Sequence, residues 1–146
     1  MRRKIYAMEP AEGLAVLARA PFVHVATTAP DGSPVLKTVH AVVRGEHVYW
    51  HGSPGGEKAR CAGRAAVVSA QEVVAEIPSH WVDPERACPA TTYYRSVQVH
   101  GVLDVVKSAP EVASVLQALM ERYQPSGGFV PIRHDHHLYA DELRRV

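Results

Sequence analysis

The links between the β-rich runs in the first half of this chain are too short for anything but antiparallel pairing. Residues 22–28, Phe-Val-His-Val-Ala-Thr-Thr, are β-rich and lead into Ala29-Pro30-Asp31-Gly32, a good turn signal. Pro34 to Val43 reads as a long second strand with β-branched residues on both faces. Arg44-Gly45-Glu46 then turns the chain back into a third run, His47 to His51. A parallel pair would need a crossover of about a dozen residues or more, which none of these turns supplies. The first half is therefore expected to be an antiparallel meander.

Before it, Pro10 to Arg19 is predicted to be a helix, with proline in its first turn and Leu14 and Leu17 on a buried stripe. After it, Glu57 to Arg64 reads as a short helix. Ala65 to Ile77 reads as a strand that bends near Gln71-Glu72. Pro78 to Thr92 carries Pro78, Pro84 and Pro89 and reads as a loop. Tyr93 to Lys107 is the longest strand candidate. Alternation puts Tyr94, Ser96, Gln98, His100 and Val102 on one face, and Arg95, Val97, Val99, Gly101 and Leu103 on the other. The first face is polar enough to line a ligand site and the second is mostly core. Ser108-Ala109-Pro110-Glu111 has the spacing of a capping box. Val112, Val115, Leu116, Leu119, Met120 and Tyr123 follow at helical spacing, and Pro125-Ser126-Gly127-Gly128 ends the helix. Five or so antiparallel strands with helical additions define a mainly β fold, a barrel or sandwich. A barrel of this size often leaves an edge exposed, and dimerisation is one way to cover it.

The 146 residues fit one domain over 1–146, without a composition shift that would divide it, and are enough to bury a core without disulfide or metal. A formal charge of +1 gives no global field to recruit nucleic acid or an anionic membrane. Arg2, Arg3 and Lys4 read as a solvated N-terminus, and no signal-peptide apolar core follows them. No run approaches the roughly 20 apolar residues of a membrane span. Cys61 and Cys88 are too few for a disulfide scaffold and lack zinc spacing, so reduced thiols in a cytoplasmic protein are expected.

The stretch most suggestive of chemistry is Val48-Tyr49-Trp50-His51-Gly52-Ser53-Pro54-Gly55-Gly56-Glu57-Lys58. A strand, a Gly-rich turn and a helix N-terminus together attract anions, because free N–H groups and the helix dipole both favour negative charge. An imidazole at the mouth of such a site suggests chemistry on a phosphate-bearing ligand; the plainer reading is a hairpin loop with a surface histidine. A P-loop would need glycine at 57 and Ser or Thr at 59, where the chain has Glu57 and Ala59. A Rossmann fingerprint is absent too. What remains is Lys58 as a point charge, helped by Ser53 and backbone N–H groups, which suits a phosphomonoester better than a triphosphate. Among nine histidines, His134, His136 and His137 are the only cluster, and on a strand His134 and His136 would share a face. No carboxylate or thiol stands at a familiar metal spacing, and no metal site is expected. His40 and His100 sit inside strands, as core histidines or as pocket walls. No nucleophile elbow or catalytic carboxylate pair stands out.

Several segments in this order carry a family resemblance: Ala29 to Pro34, Val35-Leu36-Lys37-Thr38-Val39-His40, the Val48–Lys58 stretch, Ala87-Cys88, and Tyr94-Arg95-Ser96-Val97-Gln98-Val99-His100-Gly101. Over roughly residues 5 to 124 the chain resembles the FMN-binding split-barrel proteins related to pyridoxamine 5′-phosphate oxidase. Within them it looks most like the branch that includes the nitroimidazole-resistance proteins. The resemblance implies a six-stranded antiparallel split barrel, a homodimer, and FMN at the dimer interface. By position it places Val35, Leu36, Lys37, Thr38, Val39 and His40 along the isoalloxazine edge, with Trp50 and His51 continuing that wall. Lys58, with Ser53 nearby, would meet the FMN phosphate, and Arg95 and Ser96 would add flavin contacts. A histidine at the position of His51 is associated with activity in the nitroimidazole branch, so His51 is the expected catalytic residue. Two departures stand out. Glu57 occupies a place where relatives often carry a basic residue, which would weaken the phosphate grip. Relatives usually also continue with a further strand after the segment matching residues 142–146, so a truncated or differently closed barrel is expected. The implied function is an FMN-dependent oxidoreductase that takes electrons from NAD(P)H or a similar donor and reduces a small organic acceptor such as a nitroaromatic. The alternative is a non-catalytic flavin- or haem-binding protein for storage or sensing, favoured by the histidine-rich tail.

Overall fold

A computed structural model describes residues 6–145. The Arg2-Arg3-Lys4 cluster lies outside the described residues.

The first helix, α1 (Pro10–Arg19), starts on its proline, carries Glu12 in the first turn and Arg19 in the last, and buries Gly13, Val16 and Leu17. Both end charges complement the helix dipole. Gly13 is the point of closest approach to the sheet: a Cβ there would meet Val97 Cγ2 at 3.2 Å. Of the two leucines expected on the buried stripe, Leu17 is fully buried and Leu14 is half-buried.

Six strands follow: β1 (Val23–Thr28), β2 (Pro34–Val39), β3 (Val42–Arg44), β4 (His47–Tyr49), β5 (Ala65–Ile77) and β6 (Thr91–Val102). All pairings are antiparallel, and they form a four-stranded sheet in the order β2-β1-β5-β6 and a two-stranded hairpin of β3 and β4. The turns are those expected. Gly32 and Gly45 take φ of 86° and 56°, which a side chain would resist, and Asp31 accepts the Ser33 N–H and hydroxyl across the first turn. The mainly β antiparallel class read from the sequence is the architecture observed.

Several boundaries differ. The long strand expected over Pro34–Val43 is broken at His40-Ala41, and its two pieces belong to different sheets. The second helix, α2 (Ala109–Tyr123), holds that break: Tyr123 Oη accepts the Ala41 N–H at 3.1 Å, and Arg122 donates to the carbonyls of Ala41 (2.8 Å) and Ala20. Side chains far along the chain thus satisfy backbone groups that leave the ladder. The helix expected over Glu57–Arg64 is only a 3-10 turn, Ala59–Cys61. The bend in β5 falls at Val74, where the register with β6 shifts, and not at Gln71-Glu72. The last long strand ends at Val102, short of Lys107. Ser108 is the N-cap of α2, but its side chain makes no capping hydrogen bond. Glu111 turns outward to accept a hydrogen bond from Tyr49 Oη at 3.0 Å, so the capping box is not formed.

The core has three parts. Leu17, Val23, Val25, Val39 and Ala70 pack where α1 meets the sheet. Val35, Cys61, Ala66 and Leu103 fill the other end. Trp50 packs against both. Val42, Val115 and Leu119 join α2 to the hairpin. No described helix is long and apolar enough to cross a membrane.

Candidate functional site

Beyond β4 the chain leaves the hairpin at Trp50 and enters the Gly-rich turn. Gly56 N–H bonds to Ser53 O at 2.9 Å, and Ala59 N–H to Gly56 O at 3.1 Å. The fully buried Cys61 pins the far end, with its Sγ donating to Glu57 O at 3.3 Å. This loop folds so tightly that side chains are excluded at two points. A Cβ on Gly56 would come within 3.0 Å of Ser53 O, and one on Gly52 within 3.0 Å of Lys58 Cε and 3.2 Å of its Nζ. The Lys58 ammonium thus lies directly over the Gly52 backbone, and it has no carboxylate partner among the described residues. The helix dipole invoked for this segment does not apply, because a 3-10 turn of three residues has little to offer. Lys58 is the cationic group that the loop presents.

Lys58 faces a cavity of about 310 Å³ together with Trp50, His51 and Ser53. Four of the residues singled out in the sequence therefore converge on one space. The rest of the lining is mostly apolar, with one carboxylate: Leu103, Asp104, Val105 and Val106 follow β6, and Val112, Val115 and Leu116 come from α2. The helical stripe read as core is also this wall, and nothing in the sequence brought residues 103–116 opposite His51. A second cavity of about 680 Å³ shares Tyr49, Trp50 and Leu103–Val106 with the first and adds His47, His100 and Glu111. The Tyr49–Glu111 hydrogen bond crosses from hairpin to helix beside both. Loss of water around the Tyr49 phenol, and then its bond to Glu111, push its pKa above the usual value.

The other expected contacts do not line the smaller cavity. Val35 and Val39 point into the core, while Leu36 and Thr38 are exposed on the outer face of β2, an edge strand. Lys37 is ion-paired with Glu57. His40 is stacked between Phe22 and Tyr123, with ring centroids at 4.7 and 3.9 Å. Arg95 is held by carboxylates, with Nε 3.2 Å from Glu12 and Nη1 2.9 Å from Glu72, and Arg19 joins the same Glu72 at 2.9 Å. This network ties α1 to β5 and β6 and occupies the Arg95 guanidinium. Ser96 is exposed on the outer face of β6. His134, His136 and His137 lie in turns and not on a strand; His136 and His137 stack at 4.6 Å, and Asp135 is paired with Arg133. Among the described residues no group of three or more His, Cys, Asp or Glu side chains is placed to hold a metal ion.

On an antiparallel β fold the site thus combines a lysine-bearing Gly-rich loop with an aromatic and largely apolar slot. The family profile described as pyridoxamine 5′-phosphate oxidase matches residues 9–146, and the chain belongs to that flavin-binding family. No curated protein matches the chain in sequence. Among solved structures it is similar to the flavocytochrome Anf3 from Azotobacter vinelandii (TM-score 0.72, 18% identity, 95% of this chain and 61% of that one). It is also similar to the FAD and haem binding protein from Mycobacterium smegmatis (TM-score 0.66, 23% identity, 96% and 60%). A third similar structure is a candidate 5-nitroimidazole antibiotic resistance protein from Bacteroides thetaiotaomicron (TM-score 0.64, 14% identity, 85% and 71%). At these identities the likeness is one of fold. The chain spans about 60% of the length of the first two.

Proposed function

We propose that this protein is an FMN-dependent oxidoreductase, a single-domain cytoplasmic homodimer that takes electrons from NAD(P)H and reduces a small organic acceptor such as a nitroaromatic. The observation that carries the reading is the convergence of Trp50, His51, Ser53 and Lys58 on one cavity, in a chain of a flavin-binding family. Lys58 and Ser53 would hold the phosphate, with the ammonium free of any described carboxylate. Trp50 and the apolar wall would flank the ring system. The open edge of β2, with His40 just beyond it, packs beside Trp50 through Val35 and Val39 and would offer backbone groups to the isoalloxazine. Ser96, on the exposed face of β6, would contribute only across a dimer. FMN, when bound, supplies the two-electron chemistry, and the chain supplies position and electrostatics. His51 is solvent-exposed at the cavity wall, where an imidazole can orient the acceptor or give it a proton.

The test is a visible spectrum of the purified protein before and after FMN, haem and NADPH. A flavin spectrum bleached by NADPH supports the enzyme. A Soret band would instead support the haem-binding alternative, which gains interest from the flavocytochrome and the FAD and haem protein that share the fold. A protein that takes up neither cofactor would sink both.

A further inference from the structure

Glu57 and Lys58 are adjacent, oppositely charged, and point to different sides of the Gly-rich loop. Lys58 lines the 310 Å³ cavity; Glu57 does not. The Glu57 carboxylate is instead paired with Lys37 on β2, each side chain about half-exposed at 43% and 40%. Lys37 is absent from the cavity wall as well. The far end of the loop is also anchored, by Cys61 in the core cluster with Val35 of β2, Ala66 and Leu103, and by backbone bonds of Gly63 and Arg64 to Leu103. β2 is the edge strand of its sheet. The Lys37–Glu57 pair is the described ion pair between β2 and the loop that carries Lys58.

Taking the flavin-phosphate reading as its basis, we propose that Glu57 is a positioning residue: by pairing with Lys37 it clamps the 53–61 loop to β2 and fixes Lys58 over Gly52, facing the phosphate. In this role the acidic residue does not oppose the anion. The alternative for the same residue is an electrostatic brake, a negative charge beside the phosphate that lowers affinity. The two roles make opposite predictions. Neutralising Glu57 raises the local charge and neutralising Lys37 lowers it, so a purely Coulombic effect moves FMN affinity up in the first case and down in the second. A clamp is lost in both, so affinity falls in both.

The experiment is a titration of the intact protein with FMN and with riboflavin, which lacks the phosphate, followed by flavin fluorescence. The variants are Glu57→Gln, Lys37→Met, Lys37→Arg and the charge swap Lys37→Glu with Glu57→Lys, each checked for native circular dichroism. FMN binding is expected to weaken two- to five-fold in both Glu57→Gln and Lys37→Met, the range of a half-exposed ion pair. Riboflavin binding should be unmoved. Lys37→Arg and the charge swap should recover most of the loss. Tighter FMN binding in Glu57→Gln would overturn the clamp in favour of the brake, and so would a swap that recovers nothing while remaining folded. If wild-type protein binds FMN no better than riboflavin, the phosphate assignment itself falls and takes the clamp with it. If FMN is preferred but the ratio is the same in every variant, only the clamp is lost.

Discussion

At the scale of single residues, the proposed function gives Lys58 and His51 different parts, and they should fail differently. Lys58→Ala removes one charge-assisted contact to a phosphate, so FMN should bind about 1–2 kcal/mol more weakly, with riboflavin unaffected. Unchanged FMN affinity would remove Lys58 from the site. His51→Ala should leave flavin affinity nearly intact and depress nitroreductase turnover, by roughly a hundred-fold or more if the imidazole transfers a proton. An unaltered steady-state rate would rule that role out. Both residues were legible in the sequence because turn chemistry and charge are local properties. Glu57 was legible only as an anomaly. Its partner Lys37 is 20 positions away, and the direction of its carboxylate depends on how the loop meets β2. The resulting shift is visible in its acidity: the hydrogen bond and charge of Lys37 hold the Glu57 carboxyl below its ordinary pKa.

At the scale of elements, hydrophobic period and turn residues located α1, α2 and the strands, while the ends of several were settled by contacts. The Pro34–Val43 run has β-branched residues throughout and carries no internal signal to stop. It breaks where Tyr123 and Arg122 take over the backbone groups of Ala41. Tyr123→Phe should therefore cost about 1–2 kcal/mol in urea unfolding while retaining the ring stacked on His40. A neutral result would mean that water replaces the hydroxyl. The cap of α2 gives a contrasting case. Ser108 has the right spacing from Glu111, but the carboxylate bonds Tyr49 in place of the helix end, and the serine side chain caps nothing. Ser108→Ala should thus cost less than the roughly 1 kcal/mol typical of an N-cap serine. A loss of that full size would show that the cap forms in solution.

At the scale of the whole molecule, the outer face of the four-stranded sheet stands out. Leu36, Tyr94 and Val102 are 67%, 64% and 69% exposed, and the pairing registers put them on the same face. A second copy laid on this face would remove that apolar area from water, and analytical ultracentrifugation should find a dimer that Leu36→Glu weakens. A monomer at micromolar concentration would contradict the proposed assembly. The inner face depends on charge as well as packing. Hydrogen bonds from Arg19 and then Arg95 hold the Glu72 carboxyl below its ordinary pKa. A carboxyl with a lowered folded pKa stabilises above its unfolded value, and that stability is lost as pH falls through the folded one. The difference in melting temperature between wild type and Glu72→Gln should therefore be present at pH 7 and close below about pH 4. A gap of equal size at both would assign the effect to packing.

By itself the sequence determined the antiparallel class, through connections too short to cross over, and singled out the 48–58 loop, through glycine, serine, lysine and histidine placed within a few residues of one another. Those are short-range facts, set by backbone sterics and local charge. Only the tertiary structure decided what faces that loop. The wall made by residues 103–116 lies some fifty positions downstream, and its valines and leucines read equally well as core. The same limit separated Arg95 from the cavity: strand alternation gave its face, but the carboxylates of Glu12 and Glu72 that occupy it come from two other elements. Periodicity tells which side of an element is buried, whereas the identity of the partner depends on the packing of the whole chain.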